Sequence, residues 1–121
     1  MSDPNLNFFF PELAGPGATP LPPAEVRIKD MSATPYPDGS KVRVNLEATP
    51  FQQRPWIEVA LLDHLGEEVA TASFIEPMNW KIEFVMHLRR AEPKGNYRLI
   101  ARLFYPEMPE NDRREVAFSI E

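Results

Sequence analysis

The amino-acid sequence predicts an all-β domain, a seven-stranded antiparallel sandwich of two packed sheets, behind a proline-rich N-terminal tail. From Ala24 onward apolar residues recur at every second position, which is the period of half-buried strands. Turn signals separate these runs at intervals of roughly ten residues, as in small antiparallel sandwiches. No helical apolar stripe is sustained along the chain. A small closed barrel would show the same alternation and stays an alternative.

Each predicted strand is an alternating run of inward apolar and outward polar residues. The inward sets fall within 26–28, 42–48, 57–61, 67–75, 80–88, 97–105 and 116–120. In the third run the opposite phase would bury Glu58 without a partner, so Ile57 faces the core. Trp56 is out of phase with that run and is expected to face away, whereas Trp80 is in phase with the core residues of its own run.

Residues 1–23 form the predicted tail, and residues 24–121 form the sandwich. The tail holds six of the fourteen prolines and has neither a strand nor a helix period. Such a segment buries too little apolar area to offset chain entropy, so we expect it to be disordered. Phe8, Phe9 and Phe10 are the exception, because three adjacent rings are costly to leave in water. They either dock on this domain or form a recognition motif for another protein.

One segment resembles a known family of sandwiches. Gly95-Asn96-Tyr97, which opens the run 95–103, resembles the sixth strand of immunoglobulin-like and fibronectin type III domains. Those folds place a tyrosine at this corner, with its hydroxyl bonded back to the chain, and Tyr97 matches it. The run 57–63, followed by Gly66, is similar to the third strand and hairpin of bacterial immunoglobulin-like modules. The resemblance covers residues 24–121 and implies an immunoglobulin-like sandwich, here without the disulfide.

Composition excludes several classes of function. The chain has no cysteine, so disulfides, zinc–thiolate sites and thiol catalysis are excluded. Its net charge of −5, with both signs interspersed, argues against nucleic-acid binding. The N-terminus lacks the basic and apolar regions of a signal peptide, and no apolar run approaches the ~20 residues of a membrane helix. We therefore expect a cytoplasmic protein with neither a nucleic-acid nor a membrane partner.

The sequence carries no catalytic or cofactor signature. His64 and His87 are the only histidines, one in a turn and one on an outward strand position. A metal would need further ligands converging on them, and Asp63 lies at a hairpin tip where we expect carboxylates to be exposed. The serines lack a nucleophile-elbow context, and no glycine-rich phosphate loop is present. We expect a protein that is not an enzyme and that holds no metal or cofactor.

The informative anomaly is an apolar set on the outward side of three strands. If Tyr97 and Leu99 face the core, then Ile100 and Phe104 face away from it. The third, sixth and seventh strands of an immunoglobulin-like sandwich share a sheet, so outward residues on these strands form one patch. The predicted interface residues are Ala60, Leu62, Arg98, Ile100, Arg102, Phe104 and Ala117. A grouped apolar patch usually marks a contact surface.

These observations lead to two hypotheses of different class. The first is a non-catalytic protein–protein interaction module of unknown biological process, whose partner is a second copy of the chain or another protein. The alternative is a ligand-binding or carbohydrate-binding sandwich. Its exposed aromatic side chains would lie at loops or strand ends, at Tyr36, Phe51, Trp56 and Tyr105.

Overall fold

Seven antiparallel strands make up two sheets in the computed structural model, which describes residues 19–121. The strands are β1 (Ile28–Pro35), β2 (Lys41–Ala48), β3 (Trp56–Leu62), β4 (Glu68–Ile75), β5 (Lys81–His87), β6 (Gly95–Phe104) and β7 (Asp112–Ile120). In the described part of the chain before β1, Pro23–Glu25 form a 3-10 turn. The predicted all-β class and the number of strands are confirmed.

The two sheets have the strand orders β1-β2-β5 and β4-β3-β6-β7. The predicted placement of the third, sixth and seventh strands in one sheet is confirmed. The fourth strand pairs with β3 in that same sheet, whereas constant-type immunoglobulin domains place it in the other sheet. Each sheet has two edge strands, which rules out the closed barrel.

The core lies between the inward faces of β2, β3 and β6. Their inward side chains, such as Val44, Val59 and Leu99, are only 0 to 2% exposed. The sandwich is closed along one side, where β1 meets β7. There the Ile28 amide donates to the Asp112 carboxylate at 2.8 Å, and Arg114 donates to the Ile28 carbonyl at 3.0 Å. The opposite side, between β4 and β5, is more open.

Three details differ from the sequence-based expectation or refine it. The first strand begins at Ile28 and runs to Pro35, beyond the predicted inward set at 26–28. Proline is tolerated there because β1 is an edge strand and Pro35 is its last residue. Trp80 precedes β5 and is half-buried, with its ring edge-on to Phe51 at 6.3 Å. Trp56 opens β3 on its outward side, as predicted.

The chain contacts the sandwich before the predicted boundary at Ala24. The Leu21 amide donates to the Pro50 carbonyl at 3.0 Å, and the Gln52 amide donates to the Leu21 carbonyl at 2.9 Å. Residues 19–23 therefore lie against the loop that joins β2 and β3. The predicted disorder of residues 1–18 stays a prediction, because these residues lie outside the described part of the chain.

The tyrosine corner implied by the resemblance is present at the start of β6. The Tyr97 hydroxyl donates to the Pro93 carbonyl at 2.5 Å, and its ring stacks on Phe118 at 5.5 Å. The Pro93 ring also lies against Gly39 in the β1–β2 turn. The β5–β6 connection is thereby fixed to both sheets.

Candidate functional site

The seven predicted interface residues lie on one surface, the outward side of β4, β3, β6 and β7, which we call the outer face. In the strand register Ala60 is opposite Ile100, and Arg98 lies between Leu62 and Ala117. The apolar members on β3 and β6 are half-buried, and Ala117 is exposed. The alternation in the sequence predicted the outward position of these residues correctly, because the side-chain period of a strand is two.

Trp56 and Ile75 also belong to this surface, although they are not among the seven predicted residues. Trp56 lies opposite Phe104, with ring centroids 6.0 Å apart, and opposite Ile75 on its other side. Ile75 is 61% exposed. We call these three residues the aromatic end of the outer face. The sequence signal was the outward phase of Trp56. Its position opposite Phe104 follows from the register between β3 and β6.

The charged side chains of the outer face pair with one another. Arg102 contacts Glu58 and lies 3.1 Å from Glu110, which also pairs with Arg113 at 3.2 Å. Hydrogen bonds from Arg113 and then Arg102 hold the pKa of Glu110 below its usual value. The Arg102 guanidinium also lies 4.9 Å from the centre of the Phe104 ring.

The charges of this network balance. A separate pair, Arg98 and Glu115 at 3.2 Å, lies across β6 and β7. With Arg102, Arg113, Glu58 and Glu110 this gives three arginines and three glutamates, which sum to zero. Glu68 on β4 also lies on the outer face, which gives this face a net charge of −1 against −5 for the whole chain.

A shallow depression of about 420 Å³ occupies the middle of the outer face. Its lining combines the small apolar side chain of Ala60 with that of Ile100, and its walls include Glu58 and Arg102. The arrangement offers an apolar floor with paired charges at the rim. Thr71 and Ser73 add hydroxyl groups to the lining, beside the carboxylates of Glu58 and Glu68.

The aromatic residues proposed for ligand binding are not all available. Phe51 and Tyr105 are buried, at 8% and 1% exposure, so the expectation that they are exposed is wrong. Both pack into the core cluster, and the Tyr105 hydroxyl donates to the Gln53 carbonyl at 2.6 Å. Burial raises the pKa of Tyr105 to about 12. Tyr36 is half-buried beside Lys41, which leaves Trp56 as the member of this set on the outer face.

The carboxylate expected to be exposed at the β3–β4 hairpin is buried. Asp63 is 2% exposed and accepts hydrogen bonds from the Leu65 and Glu67 amides, both at 2.9 Å. Its other oxygen accepts from Arg90 at 2.9 Å. The bond from the Glu67 amide, followed by that from Arg90, lowers the pKa of Asp63. Asp63 therefore ties the hairpin to the segment after β5, which is a structural role.

The histidines are both exposed, as expected, and His64 lies at the hairpin while His87 ends β5. Across residues 19–121, no group of three histidine, aspartate or glutamate side chains is arranged to hold a metal ion. Within the same residues, no helix is long and apolar enough to cross a membrane.

Comparison with known proteins gives a structural likeness only. Neither a protein-family model nor a curated protein matches the sequence. The fold is similar to part of the Bifidobacterium dentium β-glucuronidase, with a TM-score of 0.61, 19% identity, and coverage of 81% of this chain and 18% of that one. A glycosyl hydrolase family 2 member from Bacteroides cellulosilyticus gives a TM-score of 0.59, 15% identity, and coverage of 78% and 14%.

A third similar structure, the Lactobacillus rhamnosus β-glucuronidase, has a TM-score of 0.53 and 20% identity over 79% of this chain. The chain spans only 14 to 18% of these three proteins. At this level of identity the likeness concerns the fold. The class that fold and surface define is a small two-sheet β-sandwich module, similar to one part of much larger glycoside hydrolases.

Proposed function

We propose that this chain is a non-catalytic interaction module that self-associates through the outer face of its four-stranded sheet. The observation that carries the proposal is the composition of that face. Apolar side chains at the aromatic end and at Ile100 remain partly exposed, while the charges between them pair within the same surface. A grouped apolar surface of this kind is what a contact surface requires.

Charge balance favours a second copy as the partner. Two identical surfaces with net charge repel each other when they face one another. The outer face carries three arginines and four glutamates, a net charge of only −1, so two copies approach with little of that penalty. A two-fold axis makes the same patch serve both partners.

The size of the face predicts a weak dimer. Four strands at about 4.8 Å spacing, each seven to ten residues long, give a surface of roughly 20 by 28 Å. Stable complexes bury about 800 Å² on each partner. The whole face, including the aromatic end, is therefore needed, and association depends strongly on concentration.

The similar solved structures fit a non-catalytic role. Two of them are β-glucuronidases and the third is a glycosyl hydrolase family 2 member, and the match covers less than a fifth of each chain. A sandwich that is a minor part of a larger enzyme is suited to packing against other folded units. The chemistry of the outer face agrees, because its lining offers paired charges and apolar side chains.

The test is the oligomeric state across a range of concentrations, by size-exclusion chromatography with light scattering. The wild-type chain is expected to form a dimer that dissociates on dilution. The double variant Ile100→Ser/Phe104→Ser is expected to be monomeric at every concentration with an unchanged circular dichroism spectrum. The matched control is Leu65→Ser, which removes a 71% exposed leucine at the hairpin tip. A monomeric wild type, or a dimer that survives the double substitution, overturns the proposal.

A second candidate is carbohydrate binding, which the glycosidase neighbours and Trp56 favour. The aromatic end has an accessible indole beside Arg102 and Glu58, a combination of ring and polar groups that sugar sites use. Its two rings are tilted by 49° and do not form one flat platform. Titration of tryptophan fluorescence with oligosaccharides, compared between wild type and Trp80→Phe, isolates the response of Trp56. A flat titration and a blank glycan array remove this candidate.

A further inference from the structure

The two sides of the sandwich are closed to different degrees. On one side β1 and β7 are joined by the hydrogen bonds at Ile28. On the other side β4 and β5 meet through Phe74 and Phe84, whose ring centroids are 4.7 Å apart. Beyond these rings the sheets leave a depression of about 530 Å³, which we call the β4/β5 groove.

The groove exposes residues that belong to the core. Its lining includes Val69, Ala70, Ala72, Val85 and Met86. Ala70 and Ala72 are in the inward phase of β4 and pack on the core, yet they are only half-buried. On β3, the next strand of the same sheet, the inward residues are at most 2% exposed. The inward side chains of β4 that line the groove are therefore less well covered than those of β3.

Beyond the irregularity opposite Leu61 and Leu62, the exposed edge of β4 also lacks the usual protection. Natural edge strands carry charges, prolines or bulges that discourage pairing with another strand. β1 has Lys29 and Pro35, and β7 has Arg113 and Glu115. The stretch of β4 after Glu68, which reads VATASFI, has no charge, proline or glycine. Such an edge is suited to accept an additional strand.

We propose that residues 6–10 of this same chain, Leu6-Asn7-Phe8-Phe9-Phe10, occupy the β4/β5 groove as an added strand. In an extended segment Leu6, Phe8 and Phe10 project to one side. Large rings on that side complement a floor of small side chains such as Ala70 and Ala72. Pro11 follows directly and ends the pairing, because it has no amide hydrogen. This inference concerns a different surface from the outer face and does not depend on self-association.

The point where the described chain begins favours this occupant. Gln52 donates to the Pro20 carbonyl at 3.3 Å, and Leu21 pairs with Phe51, whose ring meets Trp80 just before β5. The amide of Glu76, just after β4, donates to the Pro55 carbonyl in the same β2–β3 loop. The N-terminal segment thus enters at the end of the sandwich where β4 ends and β5 begins.

The linker is long enough, and its charge is compatible with the groove. Nine residues separate Phe10 from Pro20, and ten extended steps reach up to about 33 Å, against about 26 Å for the length of β4. Residues 1–18 contain Asp3 and Glu12 and neither lysine nor arginine. The groove carries Arg89 and Arg90 against Glu67 and the Asp63 carboxylate that pairs with Arg90. These charges balance, so the groove does not repel the acidic segment.

Amide hydrogen exchange of the full chain, measured by mass spectrometry on peptides covering β4, tests the proposal. The double variant Phe8→Ser/Phe10→Ser is expected to raise the exchange rate of the β4 amides that face away from β3 by about tenfold or more. Phe9→Ser is the matched control, because Phe9 projects to the other side of the added strand and its loss should change the rate much less. Val85→Asp, at the exposed rim of the groove, is expected to act like the double variant by repelling the acidic segment.

Two outcomes overturn the proposal. The first is equal β4 exchange in the wild type and the Phe8→Ser/Phe10→Ser variant. The second is β4 protection that rises with protein concentration in a chain that also carries Ile100→Ser/Phe104→Ser, which would assign the added strand to another molecule. Neither outcome bears on self-association through the outer face, since that is measured with Ile100→Ser/Phe104→Ser.

Discussion

Two glycines offer a matched pair for testing how the β5–β6 connection is held. Gly39 and Gly66 both have positive φ, 75° and 83°. Both close a turn by donating to the carbonyl three residues earlier, at Tyr36 and Asp63, each at 2.9 Å. They differ in their surroundings. A Cβ at Gly39 would lie 2.8 Å from the Pro93 ring, whereas a Cβ at Gly66 would meet nothing within 4 Å.

The difference in surroundings determines how much each substitution to alanine should lower the free energy of unfolding. Alanine in the left-handed region costs about 1–2 kcal/mol, and the stiffer unfolded chain returns about 0.4–1 kcal/mol. Gly66→Ala should therefore lower the free energy of unfolding by about 1 kcal/mol. Gly39→Ala adds an overpacking cost of about 1–3 kcal/mol, because the Tyr97 hydroxyl holds Pro93 in place. The total for Gly39→Ala is about 2–4 kcal/mol.

Urea denaturation followed by tryptophan fluorescence measures both values, with the slope of the transition checked for constancy. A Gly39→Ala variant that is no less stable than Gly66→Ala would refute the reasoning. It would mean that Pro93 moves freely and that the connection is not fixed by the turn. A third variant, Gly39→Ala/Tyr97→Phe, should show a smaller combined loss than the sum of the single losses, since it releases Pro93.

Three more predictions concern the core and its tyrosines. Tyr97→Phe removes the hydrogen bond to Pro93 and should cost about 1 kcal/mol in urea denaturation; no loss would mean that the corner is not stabilising. Leu99→Ala should cost about 2–5 kcal/mol in the same assay, because the side chain is fully buried. The raised pKa of Tyr105 adds no pH dependence below pH 10. Between pH 10 and 12 the unfolded chain releases this proton first, so stability should fall by up to about 1.4 kcal/mol per pH unit, and Tyr105→Phe should reduce that slope.

Alternation in the sequence was enough to predict the strands and their inward faces. Residues such as Val44, Val59 and Leu99 lie where the period of two puts them, because each central strand packs one side on the core. The same rule placed Ile100 and Phe104 on the outer face. The membership of Trp56 in that face required knowledge of the register between β3 and β6.

Features that depend on pairing between distant residues were not predictable in the same way. The burial of Asp63 depends on Arg90, which is 27 residues further along the chain. Phe51 and Tyr105 were expected to be exposed because they lie at loops or strand ends, but they pack into the core cluster. β4 shows the same alternation of inward and outward residues whichever sheet it joins. The sequence pattern therefore does not indicate that β4 pairs with β3.

The junction between β1 and β7 has a consequence for the order of folding. The Ile28 amide and the Asp112 carboxylate that join there are separated by 84 residues. Closing a loop of that length costs on the order of 4 kcal/mol of chain entropy, and two hydrogen bonds do not offset this alone. The junction therefore forms after the sheets have already brought the first and last strands together. It contributes little to the rate of folding and acts mainly by slowing the unfolding of a completed sandwich.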